Sequence, residues 1–306
     1  ERAERLDRLR HCEAQCSSVA RTPASDLKTQ REFDRPIVIT GALDGWPARN
    51  TWSFGRLRQR IGQVLVDCGS STGGLPFYLV AENAGRSSGR ADISLYVFDS
   101  DFSDDSGKAC LLDDISALPN LTRHDVFAAG AAANHDDRPV WRWLLAGPEG
   151  SGTLIHQDPW SYSSWNASLV GVKRWVLFPP SVPRQVLHPP RADAVGTLAA
   201  FFGLERFAPR GAGAFFDEVL PSLRGQGLGE VELLQRPGEV VAFPAGWWHA
   251  VVNLDATLAV TESYGRSRDL PAILSALRAR GLGAFAQVVE DEAAAVSSTG
   301  LSRAGS

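Results

Sequence analysis

The sequence contains no methionine in 306 residues, where ordinary usage would place several. That composition is expected of an unusual fragment, or of a chain read without its methionine positions. In the second case a spacing read across one is a residue short. Cysteine is scarce too, with only Cys12, Cys16, Cys68 and Cys110. In a chain this long four cysteines exclude a disulfide scaffold and point to a reducing, intracellular location, nucleus and cytoplasm staying equally open. Cys12 and Cys16 stand four apart beside His11, but no second cysteine pair follows. An ordinary helix face is therefore the expectation rather than a zinc site. No apolar run approaches the roughly 18 residues of a membrane span. The opening ERAERLDRLRHCEAQC is charged and has no signal-peptide core. A net charge of −4 excludes a globally basic nucleic-acid binder.

What is present is ample apolar material, 44% of residues, enough for a sizeable core. Residues 1–17 read as an amphipathic helix with Leu6 and Leu9 on one face. A short buried strand is expected over 35–41, a helix over 52–61 and an extended stretch over 64–67. The segments GSSTGG and GRSSG are loops. From residue 94 onward short strands dominate, with nine candidates at 95–98, 140–144, 153–158, 164–170, 174–178, 231–234, 239–243, 249–253 and 257–261. Pro, Gly, Asn or Asp punctuates most gaps. Many short strands with turn chemistry between them predict a mainly β fold with flanking helices, a double-stranded β-helix (jelly roll) of the cupin kind. The expected organisation is an N-terminal helical and mixed region (1–93) packing on the core and a catalytic jelly roll (94–265) with a partly helical insertion at about 186–228. C-terminal helices with a disordered tail after Ser297 (266–306) complete it. Dimerisation through those helices is an expectation of the same kind.

One motif carries chemistry. In GTLIHQDPWSYSSWN, His156 and Asp158 are two apart, so on a strand they project to the same side. Two ligands do not complete a metal site. The third candidates are His11 in the first helix, His124 and His135 in loop-like surroundings, His188 before two prolines, and His249. Only His249 lies on a late strand with apolar flanks, in PAGWWHAVVNLD. Two neutral imidazoles and one carboxylate form the facial triad of non-haem Fe(II) oxygenases, in which three ligands on one face leave adjacent positions open for a 2-oxo acid and O2. Zinc is more often given three or four tight ligands.

The stretches GTLIHQDPWSYSSWNASLVGVKRWVLFPP and QRPGEVVAFPAGWWHAVVNLDATLAVTESY resemble the JmjC (Jumonji-C) oxygenases. The similarity is nearest to the lysyl-hydroxylase branch also described as phosphatidylserine-receptor-like. LYVFDSDF and WRWLLAGPEGSGT resemble the same branch, and the similarity covers roughly 36–265. The resemblance implies a JmjC core with iron held by His156, Asp158 and His249, and with 2-oxoglutarate and O2 as cosubstrates. It implies that Lys173, in GVKRW, meets the far carboxylate of 2-oxoglutarate; on its own a lysine after a glycine turn reads as a solvated residue. Thr261, Asn166, Thr153 and Tyr96 match family positions that hydrogen-bond the cosubstrate. Simple alternation does not put Thr153 on the face of His156. Ser263 stands where an asparagine is expected in close relatives. The long basic and serine-rich runs of nuclear members are absent.

The implied reaction hydroxylates a lysine or arginine side chain in a protein, consuming O2 and forming succinate and CO2. Hydroxylation of an N-methyl carbon would instead demethylate, and the same residues serve both. An RNA-directed oxygenase, a cupin metalloenzyme that does not use 2-oxoglutarate and a binding module are the other readings. The joint presence of Lys173 and Thr261 counts against the cupin metalloenzyme, and the presence of all three ligands counts against the binding module, which would tolerate loss of one. FDSDFSDDSGKACLLDD is rich in aspartate and begins beside Tyr96. It reads as a solvated acidic loop or as a surface that attracts a basic peptide. Trp160, Trp165, Trp175, Trp247 and Trp248 crowd the site strands; most are expected in the core, with one or two walling the substrate entrance.

Overall fold

A computed structural model describes residues 11–16, 19–28, 33–68, 74–84, 95–122, 125–128, 138–188 and 212–302. The strands are β1 (Arg21–Pro23), β2 (Ile37–Thr40), β3 (Leu65–Val66), β4 (Leu75–Pro76), β5 (Val97–Asp99), β6 (Arg142–Gly147) and β7 (Gly152–His156). They continue with β8 (Ser163–Val170), β9 (Lys173–Phe178), β10 (Val231–Gln235), β11 (Val240–Phe243), β12 (Trp248–Asn253) and β13 (Thr257–Tyr264). Each of the nine stretches expected to be extended from residue 94 onward overlaps a strand, and those over 35–41 and 64–67 contain β2 and β3. One sheet has seven strands in the order β1-β2-β11-β8-β13-β6-β5, and the second has four in the order β10-β9-β12-β7. The two form the mainly β, cupin-like jelly roll that the strand pattern predicts. The region before residue 94 contributes β1 and β2 to the edge of the large sheet. The helix expected over 52–61 is α1 (Phe54–Ile61), which starts where the Ser53 side chain accepts a hydrogen bond from the Arg56 amide; a separate short helix, Ala48–Thr51, precedes it.

Both sheets are covered on their outer faces, which explains why the strands are apolar almost throughout. Leu144, Trp165, Ala167, Val240 and Val260 of the large sheet pack beneath α1 and α2 (Phe77–Ala84). Val176, Phe178, Ala250 and Val252 of the small sheet pack beneath the helical segment 212–223. Between the sheets lie Val38, Trp175, Leu177, Leu233, Val241, Phe243 and Val251. The exception is informative. On β8, Trp165 and Ala167 face outward into the core under the helices, so Ser164, Asn166 and Ser168 face inward, although all are buried. β13 repeats this, with Leu258, Val260 and Tyr264 outward and Thr261 and Ser263 inward. Polar side chains between two sheets need partners or a ligand.

The C-terminal stretch is two helices, α3 (Leu270–Ala279) and α4 (Gly283–Ser302), separated where Gly281 adopts φ 84°. α4 continues past Ser297 through Ser302, where a disordered tail was expected. Of the amphipathic helix expected over 1–17, residues 11–15 are helical, while Leu6 and Leu9 lie outside the described residues. Among the described residues no helix is long and apolar enough to cross a membrane.

Candidate functional site

His156 closes β7, Asp158 follows two residues later, and His249 is the second residue of β12. The two strands are neighbours with His249 opposite His156. The pairing predicted from the sequence is therefore met in space. The strand itself stops at His156, and Asp158 is held extended by its own geometry (φ −64°, ψ 141°). The proline after it disfavours the helical region for Asp158. One ligand-capable atom from each of the three residues lies within 4.8 Å of the others. The Asp158 Oδ1 is 3.6 Å from His156 Nε2 and 3.7 Å from His249 Nε2. His249 is buried, whereas the His156 side chain is 38% exposed, so the cluster sits at an opening. This is the one such cluster among the described residues. His11, Cys12 and Cys16 form none, and His124 and His135 lie outside the described residues.

Hydrogen bonds select the protonation pattern. His156 Nδ1 lies 2.7 Å from the carbonyl oxygen of Leu154 and His249 Nδ1 lies 3.2 Å from that of Trp247. A carbonyl only accepts, so each Nδ1 carries a proton, which leaves Nε2, the nitrogen nearest Asp158, as the atom a metal would take from the neutral ring. Burial alone would raise the Asp158 carboxyl, but the imidazoles of His249 and His156 and the Ser164 hydroxyl outweigh it and hold it at about 2. Burial and the neighbouring His156 pull His249 down to about 4. For His156 burial acts downward, and the carboxylate beside it outweighs this and raises its pKa. The Ser164 hydroxyl donates to Asp158 Oδ2 and shares a 2.9 Å hydrogen bond with the Ser263 hydroxyl. Ser263, the departure noted in the sequence, thus belongs to the shell around Asp158.

The cluster opens into a cavity of about 250 Å³ between the sheets. All eight residues assigned from the sequence to the metal or the cosubstrate line it: Tyr96, Thr153, His156, Asp158, Asn166, Lys173, His249 and Thr261. Lys173 is 1% exposed. Burial alone pulls its ammonium down to about 7, with no carboxylate contributing. It pairs with Asn253 across β9 and β12, four residues along β12 from His249. That separation is about 13 Å of strand, so the lysine and the His–Asp–His cluster occupy opposite ends of the cavity. Thr153 Oγ1 and Asn166 Oδ1 are buried without a hydrogen-bond partner among the described residues. Thr261 donates its hydroxyl to the Trp165 carbonyl at 2.7 Å, which leaves its oxygen free to accept. Burial raises the Tyr96 phenol, keeping it a donor. Its ring rests on Gly147, where a Cβ would sit 2.7 Å from Tyr96 Cδ2 and 2.4 Å from Ser151 Oγ.

Thr153 reaches the cavity because of a bulge. Between the pairs His249–His156 and Val251–Thr153, β12 advances two residues and β7 three. The extra residue on β7 reverses the alternation, so residues 153 and 156 share a face. Gly152 permits this approach, since a Cβ there would lie 2.0 Å from the Val251 carbonyl oxygen. Simple alternation could not have placed Thr153. Of the five tryptophans expected to crowd the site, Trp175 lines the cavity. Trp165, Trp247 and Trp248 lie in hydrophobic cores, and Trp160 packs against the C-terminal helices. Sequence reasoning missed Ser164, Phe98 and Trp143. Phe98 is 39% exposed, and its ring centroid is 5.7 Å from that of Trp143 at the open edge of the cavity. The exposed aromatic in LYVFDSDF and the tryptophan in WRWLL were the available signals.

Two imidazole nitrogens and a carboxylate on one side of a cavity, with unpaired polar atoms and a buried lysine beyond, suit a divalent metal and a short diacid. The fold and the cluster are those of a cupin-type domain with residues that could hold a metal ion. Residues 28–269 match the family of cupin-like domains, and the chain belongs to that family. Over 247 residues it is 34% identical to the arginine-specific demethylase JMJ22 of Arabidopsis thaliana, covering 81% of this chain and 45% of that protein. It is 32% identical over 259 residues to the bifunctional arginine demethylase and lysyl-hydroxylase psr-1 of Caenorhabditis elegans (81% and 61%). It is 26% identical over 260 residues to the 2-oxoglutarate and iron-dependent oxygenase JMJD4 of Mus musculus (77% and 56%). The JmjC resemblance of the motifs agrees with these relatives. The chain spans roughly half the length of each.

Proposed function

We propose that this chain is an Fe(II)- and 2-oxoglutarate-dependent oxygenase that hydroxylates a lysine or arginine side chain of a protein. One observation carries the reading: a His–Asp–His cluster at one end of a cavity whose other end holds a buried lysine with no carboxylate contributing to its charge balance. A cupin metalloenzyme without the cosubstrate would have no use for that lysine. The relatives' names point to the same chemistry.

In this reading His156, Asp158 and His249 hold the iron. Bound iron would supply the oxidising chemistry, in which O2 and 2-oxoglutarate yield succinate, CO2 and one oxygen atom for a substrate C–H bond. The Leu154 and Trp247 carbonyls hold both imidazoles in the tautomer that presents Nε2, and the Ser164 hydroxyl orients the carboxylate. Lys173 takes the far carboxylate of 2-oxoglutarate in a charge-assisted pair that is strong because the site is dry. Thr153, Asn166, Thr261 and Tyr96 supply the remaining polar contacts. Phe98 and Trp143 wall the entrance and exclude water, and their faces suit the alkyl stem and the cation of a basic side chain. Asp101, Asp104 and Asp105, all exposed in the loop after Phe98, favour a basic peptide. A homodimer through α3 and α4 belongs to this proposal as an untried element.

Anaerobic visible absorption tests the reading. Adding Fe(II) and then 2-oxoglutarate to metal-free protein should produce a weak charge-transfer band that needs both additions and is missing in His249→Ala. Metal binding without that band would sink the 2-oxoglutarate reading and favour another cupin chemistry.

A further inference from the structure

The turn that follows Asp158 is strained, and the strain has a holder. Trp160 adopts φ 61° and ψ 14°, and Ser161 adopts φ 54°. They are the only non-glycine residues among those described with positive φ. A bulky residue in the left-handed region is an outlier that persists only where its surroundings over-determine it. Here those surroundings are the C-terminal helices. The Trp160 side chain packs against the cluster of Phe127, Ile273, Leu277 and Phe285, and the Arg280 guanidinium lies 4.7 Å from its ring centroid. Tyr162, at the far end of the turn, is buried in the same cluster. Its ring is 4.7 Å from that of Phe127, and its hydroxyl donates to the Pro139 carbonyl at 3.1 Å. At the near end, Pro159 leaves Asp158 little backbone freedom. The chain from Asp158 to Tyr162 is thus pinned at both ends, and α3 sits against its middle.

We infer that α3 and its C-cap residue Arg280 act as a clamp that holds the left-handed Trp160–Ser161 turn and thereby sets the direction of the Asp158 carboxylate. Trp160, Ser161 and Arg280 are positioning residues, acting through Asp158 rather than on substrate. The inference rests on the metal-site reading above. It assigns the C-terminal helices a role in the metal centre, although no residue of theirs lines the cavity.

Cobalt(II) tests it without turnover, because its visible absorption reports ligand number and geometry. Ser161 permits a paired comparison. Glycine accepts φ 54° freely, whereas valine is disfavoured there by its branched Cβ. Ser161→Gly should keep the wild-type affinity and spectrum. Ser161→Val and Arg280→Ala should each weaken Co(II) binding by about tenfold, as loss of an outer-shell support does, and alter the band shape. Arg280→Lys, which retains a cation over the ring, should recover part of the loss. Residue 280 is exposed and residue 161 partly so, and circular dichroism confirms the fold of each variant. Wild-type affinity and spectrum in Ser161→Val and Arg280→Ala would overturn the clamp while leaving the metal site intact. A wild-type protein that binds no Co(II) would overturn the metal-site reading and the clamp with it.

Discussion

Replacing Lys173 by methionine should make the ligand-free protein more stable and the cosubstrate-bound protein less so. Methionine keeps the length and flexibility of the side chain and removes only the charge. In the folded protein burial lowers the Lys173 pKa from 10.5 to about 7. Above pH 10.5 the group is neutral in both states and costs nothing. As pH falls the unfolded lysine takes its proton first, so stability is lost between about 10.5 and 7 and the loss is constant below that. The drop corresponds to about 5 kcal/mol below pH 7 and about 3 kcal/mol at pH 8. Thermal melts of metal-free protein at pH 8 should therefore place Lys173→Met roughly 5 °C above wild type. Adding 2-oxoglutarate to the metal-loaded proteins at a hundred times its Kd should then stabilise the wild type by about 2.7 kcal/mol and leave the variant unmoved. A metal-free variant that melts below wild type would refute the reasoning, since the ammonium would then have a compensating partner.

Three further expectations follow from the same site. Binding 2-oxoglutarate should recharge Lys173, so calorimetry at pH 8 should detect proton uptake, seen as a buffer-dependent enthalpy, that fades by pH 6. Equal uptake at both values would exclude the lysine as its source. Gly147→Ala, whose Cβ would meet Tyr96 and Ser151, should displace Tyr96 and raise the KM for 2-oxoglutarate several-fold; an unchanged KM would remove Tyr96 from the cosubstrate site. Phe98→Ala and Trp143→Ala should raise the KM for a basic peptide by about tenfold while leaving substrate-free 2-oxoglutarate turnover unchanged. A matching loss in both assays would place these rings on the cosubstrate instead.

Much of the fold was legible because strand periodicity and turn residues are local. Each of the nine expected strands is present, with ends shifted by a few residues where caps and pairing decide, as Ser53 does for α1 and His156 for β7. The metal candidates were legible too. His156 and Asp158 are close in sequence, and His249 stood out by its strand context. A signal that went unused was the inverted alternation of SSWNASLV, which puts polar groups where a core strand should bury apolar ones. The position of Thr153 was beyond local reasoning. It depends on one extra residue in β7 against β12, and a bulge is a property of a pair of strands, not of either one. Ser164 was equally hidden, because its role exists only once Asp158 lies above it.

The sequence by itself determined the residue types that can bind a metal, the two sheets' worth of short strands and the acidic, cysteine-poor character of the chain. Only the tertiary structure decided that Lys173 is buried away from the described carboxylates, that Tyr96, Thr153, Asn166 and Thr261 converge on the same cavity, and that the turn after Asp158 leans on α3. The physical reason is that burial, pKa and strain arise from neighbours brought together across more than a hundred residues of chain, and no local pattern encodes them.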